Sequence, residues 1–482
     1  MPSLGSLVNI GISGLRAQQA AMNVVGNNIA NVNTEGYSRK SAKLETAKTV
    51  EGFGTGVEFA ALTRARDIIL DRQARFEAGN VGRLNFLESA MSTLEAIFTE
   101  VAGGGTTETG SIFDIDGGAA LTGALSRFFT AFQDLANNPE SQATRAAVRE
   151  EATLLTEQFR RIDGQLAVMK DDLDRELQNT TTAVNALTRQ IAILNEQILA
   201  AKENVTDVAG DLDDERDRLI DDLSELLDVT ALEQTDGTVT VTGATGEGVL
   251  LVDRDRSFDI EVRLILNPRG IASTNLVTVK ESNPVPVTTG KLAGILEARD
   301  TQLPRFEDEL NLLAATLADR FNTQHAAGFG LDGSSGNTFF RSTGTTAQLI
   351  EVSDTVLNNL DKIAASGPSL GNPNVTAGPG DGGNALALSD VRLEKLFGGG
   401  TQTIEEFYAD VVGQLGAEAR QVFTAAEGQR LVQNQVNERR ENVRGVSINE
   451  EASQLILFQR AYQAAARVVT VVDQMMQSVL NI

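Results

Sequence analysis

Residues 4–37 read LGSLVNIGISGLRAQQAAMNVVGNNIANVNTEGY, and this stretch decides the architecture. Val8, Leu15, Met22 and Ile29 recur every seven residues, and Leu4, Gly11, Gln18, Val25 and Val32 form a second row. Heptads sustained over about four repeats specify a coiled-coil helix. Between Met1 and Thr34 the only charged side chain is Arg16. A solvated helix carries a charged face, so this one is predicted to bury most of its circumference. The helix runs into Asn27, Asn28, Asn31 and Asn33, then Gly36 and Tyr37. Asparagine tolerates the left-handed conformation and bonds local backbone, and glycine takes a positive φ freely, so this is a helix end followed by a turn. One cap does not need four amides, and the surplus is expected to bond across a subunit interface.

The far end repeats the heptad signal. Ile448, Leu455, Tyr462, Val469 and Met476 make one row; Phe458, Ala465, Val472 and Val479 make the other. Two heptad helices at opposite ends of one chain can pair with each other. The assembly residues read from both ends are Val8, Leu15, Met22, Val25, Asn27, Asn28, Ile29, Asn31, Asn33, Gly36, Tyr37, Leu455, Phe458, Tyr462, Val469, Val472 and Met476.

Between the ends lies more helix. Apolar residues from Leu155 to Ile198 step at three or four, predicting one long helix, or two nearly collinear ones, over about 140–204. Further helices are predicted over 211–228, 303–325 and 403–444, with continuation of the last towards the terminal helix left open. Asp236-Gly237 between apolar runs is a hairpin signal. Phe258, Ile260, Val262 and Leu264 alternate with polar residues as a half-buried strand does. Asn267-Pro268-Arg269-Gly270 reads as a turn, and Leu349–Val352 as a further strand. The predicted class is mainly α with β inserts (α+β). It comprises paired terminal coiled-coil helices, a long-helix bundle and a small antiparallel β insert. The corresponding divisions are a terminal layer at 1–36 and 445–482, and a helical core at 37–228, 289–340 and 401–444. A β insert follows at 229–288, and a Gly/Asn-rich outer insert at 341–400.

Composition narrows the function. The chain has 482 residues and a formal net charge of −25. Phosphate backbones and anionic membrane surfaces both select for basic patches, so neither nucleic acid nor membrane is a predicted partner. No apolar run reaches the roughly 18 residues of a membrane span. No charged n-region precedes an apolar run near residue 1, so taken alone the sequence reads as cytosolic, with an export route that uses no cleaved signal left open. There is no cysteine, which removes disulfides, thiol catalysis and the best structural zinc ligand.

The candidate chemical motifs are weak. Gly52-Phe53-Gly54-Thr55-Gly56 lacks the Lys-Ser/Thr end of a phosphate loop and reads as a turn. Asp114-Ile115-Asp116-Gly117 and Asp332-Gly333-Ser334 lack the later ligands of a calcium loop and also read as turns. His325 is the only histidine. No nucleophile or orienting acid is marked around it, and it reads as a helix-end residue favoured by the dipole. The acidic run Asp207–Asp222 reads as a solvated helix face. No catalytic, cofactor or metal residue is predicted.

At both ends the sequence resembles the flagellar rod, hook and hook-associated protein family. Asn27-Asn28-Ile29-Ala30-Asn31-Val32-Asn33-Thr34-Glu35-Gly36-Tyr37 is similar to the motif that ends that family's first helix. Ser447-Ile448-Asn449-Glu450-Glu451 and Phe458-Gln459-Arg460-Ala461-Tyr462-Gln463-Ala464 resemble its carboxyl-terminal signature. In mid-chain, Asp214-Glu215-Arg216-Asp217-Arg218-Leu219, the segment Gly290–Asp300 and the segment Phe321–Gly328 resemble the hook-associated branch. The resemblance implies an extracellular architectural subunit at the hook–filament junction of a bacterial flagellum. Its implied partners are copies of itself, the hook protein, a second junction protein and an export chaperone on the carboxyl-terminal helix. A hook or rod subunit is the nearest alternative; a secreted adhesin or hydrolase on a flagellar scaffold is the alternative from another class. Isolated amphipathic helices are marginal in water, so both ends are expected to be disordered in the free chain and to fold on assembly.

Overall fold

The computed structural model describes residues 4–34, 36–48, 54–99, 121–203, 209–243, 248–266, 272–278, 285–342 and 345–480. The chain opens with α1 (Leu4–Ala30), a hairpin of β1 (Lys40–Thr46) and β2 (Val57–Arg64), then α2 (Ile68–Thr99), α3 (Leu121–Asn137), α4 (Gln142–Glu203) and α5 (Ala209–Leu226). The middle carries β3 (Val229–Glu233), β4 (Val239–Gly243), β5 (Val249–Asp253), β6 (Arg256–Ser257), β7 (Ile260–Leu266) and β8 (Ala272–Thr278). Then come α6 (Lys291–Glu297), α7 (Leu303–Ala326), α8 (Asp354–Asn358), β9 (Pro368–Ser369), β10 (Asn372–Thr376) and α9 (Gly383–Asp390). Two long helices close the chain, α10 (Ile404–Arg444) and α11 (Ile448–Leu480). The fold is mainly α with small antiparallel sheets, as the sequence predicts.

Contacts divide the chain into two compact units. Unit 1 comprises Met1–Arg83, Asn179–Ala293 and Glu427–Ile482; unit 2 comprises Leu84–Gln178 and Gly294–Ala426. The core of unit 2 is aromatic. Phe321 of α7 sits 4.9 Å, ring to ring, from both Phe128 and Phe132 of α3, and packs on Phe339 and Phe340. One face of α7 is buried at Leu310, Leu313, Leu317 and Phe321. Along α4 the three-to-four step buries Leu155, Phe159, Ile162, Leu166 and Leu173 in this unit and Val184, Ile191 and Ile198 in unit 1.

Unit 1 holds the β elements. The Asp236-Gly237 hairpin joins β3 to β4 as predicted, with Gly237 at φ 88°. β3 to β6 form one antiparallel sheet, and β7 pairs with β8. Two asparagines of α4 clamp these strands. Asn195 donates to the carbonyls of Val239 and Arg254, both at 2.8 Å, and accepts from the Val239 amide at 3.0 Å. Asn185 brackets Ile260 in the same way, donating to its carbonyl and accepting from its amide. Gly290, at φ 84°, crosses the end of α5 so closely that a Cβ would lie 2.5 Å from the Leu227 nitrogen. That close approach explains why the Gly290 segment opens on glycine.

Several expectations change. Helices α2 and α3 and strand β1 were not anticipated; Val57-Glu58-Phe59, which reads as strand, begins β2. Leu349–Val352 is no strand; Val352 makes a single bridge to Phe340. α10 does not run on into α11: Gly445 closes it through a bond from its amide to the Glu441 carbonyl, 2.7 Å. Ser447 and Glu450 then stand three apart at the start of α11, the spacing of a capping box. Asp332-Gly333-Ser334 is a turn closed by Asp332 accepting from the Ser334 amide at 3.0 Å. Residues 114–117 and 267–270, and the side chain of Val479, lie outside the described set.

His325 stands in the last turn of α7, as read, but it is not a charged residue favoured by the dipole. It is fully buried in unit 2; Nδ1 donates to the Asn337 carbonyl at 2.8 Å, and Nε2 accepts from the Ala364 amide at 2.9 Å. An imidazole that donates at one nitrogen and accepts at the other is neutral. Burial pushes its pKa down to about 4 against the raising effect of the Asn337 bond, with Arg145 also lowering it.

Candidate assembly interface

The terminal helices pair within the chain, antiparallel. Gly11 lies against Val469 and Gly14 against Ala465, while Asn28, near the other end of α1, meets Glu451. The seam buries Ala17, Ala21, Val24, Val25 and Val472. Val8, Leu15, Met22, Ile29, Leu455, Phe458, Tyr462, Val469 and Met476 are half-buried, so the pair covers each of them only in part. α1 has a second wall, because β1 and β2 lie along it. The Ser13 hydroxyl fits where Gly56 leaves no room for a side chain: a Cβ there would stand 2.0 Å from it.

The asparagine motif works locally. Asn28 is fully buried and uses its whole amide inside the chain. Nδ2 donates to the Lys40 carbonyl at 2.8 Å and to Glu451 Oε2 at 3.0 Å. Oδ1 accepts from the Tyr37 hydroxyl at 2.8 Å and from the Lys40 amide at 3.0 Å. Asn31 bonds back to the Asn27 carbonyl and side chain, and Thr34 donates to Asn31. The expectation of surplus amides reaching between subunits is therefore corrected for Asn28, whose bonds tie α1, β1 and α11 together. Asn27 and Asn33 are exposed; Gly36, at φ 80°, and Tyr37 are half-buried. Burial, and then the charges of Asp211, Asp214 and Glu451, raise the Tyr37 phenol and keep it protonated.

The acidic run on α5 is a solvated face only in part: Asp211 and Glu215 are exposed, but Asp213, Asp214, Asp217 and Asp221 are drawn into ion pairs. Asp213, Asp214 and Arg216 are buried. Arg64 of β2 pairs with Asp214 and Asp217, both at 2.9 Å; Arg75 of α2 pairs with Asp217 and Asp221; Arg440 of α10 joins Asp71 to Asp221. Arg216 donates to Asp213 at 2.8 Å, to Asn195 at 3.0 Å and to the Gly237 carbonyl at 2.9 Å. Burial alone would raise Asp217, but the guanidiniums of Arg75, Arg64 and Arg66 hold it at about 2. Burial of Asp214 outweighs Arg64 and raises its carboxyl. This lattice docks the hairpin, α2 and the end of α10 onto α5. Its members lie up to 369 residues apart in sequence.

α11 also carries an apolar surface that no heptad row named. Leu457, Val468, Val471 and Met475 are 61%, 46%, 46% and 49% exposed. At 100° per residue they share one stripe of the helix, about 120° around from the seam row Tyr462, Val469 and Met476. Among the described residues no cluster of His, Cys, Asp or Glu could hold a metal ion, and no helix is long and apolar enough to cross a membrane.

A heptad helix, an asparagine-rich loop and a returning heptad helix define a class, the axial proteins of the bacterial flagellum. The profile described as "Flagella basal body rod protein" matches residues 9–37, and "Flagellar basal body rod FlgEFG protein C-terminal" matches 442–482. "Flagellar hook-associated protein FlgK helical domain" matches residues 108–340. The chain is 30% identical over 516 residues to Flagellar hook-associated protein 1 of Bacillus subtilis (strain 168), covering 97% of this chain and 96% of that one. It is 25% identical over 577 residues to the protein of the same name from Salmonella typhimurium, covering 99% and 100%. The chain belongs to the flagellar hook-associated protein 1 family. In fold it is similar to the flagellar hook junction protein FlgK from Burkholderia pseudomallei, with TM-score 0.65 and 17% identity, covering 78% of this chain and all of that one. It is thus a structural component of the flagellum that assembles with other flagellar components.

Proposed function

We propose that this chain joins hook to filament outside the cell, through its terminal helix pair, and performs no catalysis. The exposed stripe of Leu457, Val468, Val471 and Met475 carries the reading. Its location on one of the paired end helices supports contact with neighbouring copies. Heterologous contacts of that kind propagate as helical assemblies. Residues 1–36 and 445–482 form the assembly layer, and the segments between them carry the helical core and the β and Gly/Asn-rich inserts. The half-buried seam residues from Val8 to Ile29 and from Leu455 to Met476 complete their burial against neighbours, with exposed Asn27 and Asn33 at the rim. The hook protein lies on one side and a second junction protein on the other. In the cytoplasm, an export chaperone covers the apolar stripe of α11, as helix-in-groove partners do. Cells lacking the chain are expected to assemble hooks and to release filament subunits into the medium unpolymerised. Electron microscopy of hooks, with immunoblots of the medium, checks this; loss of the hooks themselves would assign the chain to hook or rod instead.

A further inference from the structure

A heptad seam alone does not fix its own register, because a slip of seven residues restores the pattern. Here that ambiguity would matter. Sliding α11 by one heptad along α1 would move Leu457, Val468, Val471 and Met475 by about 10 Å relative to the rest of the chain.

We propose that Asn28 and Glu451, with the notch at Gly11 and Gly14, are positioning residues that set the register of the terminal pair. The inference rests on the proposed role of that pair and specifies how it is aligned. At one end of α1 the fit is steric. A Cβ on Gly11 would lie 2.5 Å from Val469 Cγ2, and one on Gly14 would lie 3.5 Å from Ala465 Cβ. A one-heptad slip puts Tyr462 or Met476 at Gly11, and Phe458 or Val472 at Gly14. The slot filled by an alanine methyl group would then have to take a phenyl ring or an isopropyl group. At the other end the fit is polar. Asn28 is held by its bonds to Lys40 and Tyr37, so its second amide proton points at a fixed place. Glu451 fills that place at 3.0 Å and is itself 1% exposed. A slip one way would put Phe458 opposite Asn28, and the other way would leave Asn28 facing the segment before α11 begins at Ile448. The amide proton and, if it stayed buried, the carboxylate would lose each other. A single buried polar residue at a seam position fixes register in this way in some coiled coils.

The chain has no cysteine, so register can be read by cross-linking. The 3.5 Å approach of Gly14 to Ala465 lies at the edge of the Cβ separation of disulfides, about 3.5–4.5 Å. Gly14→Cys is paired with Ala465→Cys as the in-register probe, and with Phe458→Cys or Val472→Cys as the slipped probes. Each pair is oxidised on isolated flagella, where the helix pair is complete, and on chain recovered from the medium, where oxidation traps the transient pairings of the marginal ends and so compares their registers. In the parent background the Gly14–Ala465 bond is expected to dominate, within one chain. Losing the buried bond in Asn28→Leu or Glu451→Leu is expected to raise the slipped products relative to the parent in the same state by about tenfold or more. Glu451→Gln keeps an acceptor and is expected to keep the parent pattern, an outcome that loss of general stability would not give. Parent-like ratios in both leucine variants would overturn the register role. A Gly14–Ala465 bond formed between two chains would instead overturn the pairing within one chain on which the role depends.

Discussion

Chains lacking residues 448–482, or residues 1–34, are expected to stay folded through unit 2 and to be absent from the flagellum. The aromatic core of unit 2 draws every member from residues 84–178 and 294–426, so neither deletion removes one of its side chains. Removing α11 takes away Val469, Ala465 and Glu451, the groups against which α1 is seated. It also removes the exposed stripe. The effect on incorporation should be all or none, because a lattice contact repeated at every subunit cannot be half made. Immunoblots of isolated flagella and of medium read incorporation, and a urea transition with a near-ultraviolet signal reads the aromatic core. Normal incorporation of either truncated chain would remove the ends from the account.

The second large effect is on acid stability. With a folded pKa of about 4 against an ordinary 6.5, His325 binds a proton more readily in the unfolded chain. Its contribution is therefore complete above about pH 6.5 and is lost as pH falls towards 4. The full range is worth about 3 kcal/mol, and unit 2 should lose about 2 kcal/mol between pH 7.5 and 5 from this group alone. His325→Gln should flatten that part of the profile, at a cost in stability at neutral pH. The imidazole is the only one in the chain, so its proton resonance can be followed directly. It should not titrate above about pH 5; a midpoint near 6.5 would contradict the buried neutral ring.

What could be read in advance depended on the reach of each signal. The helices α4, α5 and α7 follow from large apolar side chains at three-to-four spacing, and the β3–β4 hairpin from one dipeptide. α3 carried the same signal in Leu121, Leu125, Phe128, Phe132 and Leu135 and was there to be found. α2 was harder, since part of its buried side is small: Ala74, Ala78 and Ala90 are buried, and Gly79 and Gly82 press on backbone. The acidic face of α5 was partly misread because an acidic run has the same composition whether water or arginine covers it. The arginines that cover it, Arg64, Arg75 and Arg440, sit on other elements. Asn28 was picked out as informative, but its partners Lys40 and Glu451 follow only from the fold. The α11 stripe was missed because the heptad rows claimed the apolar residues that pair and left the others unassigned.

The central claim is that the terminal pair is marginal alone and is completed by neighbouring subunits. Part of its seam is only half-covered, and Gly11, Gly14 and Gly26 each weaken α1 by up to about 1 kcal/mol relative to alanine. Amide hydrogen exchange on the free chain and on the same chain in isolated flagella tests this directly. Rapid exchange over residues 4–30 and 448–480 in the free chain, beside protected amides in 142–203, and slow exchange of both ends in the flagellum are the predicted results. Strong protection of both ends in a chain shown to be monomeric would contradict the account.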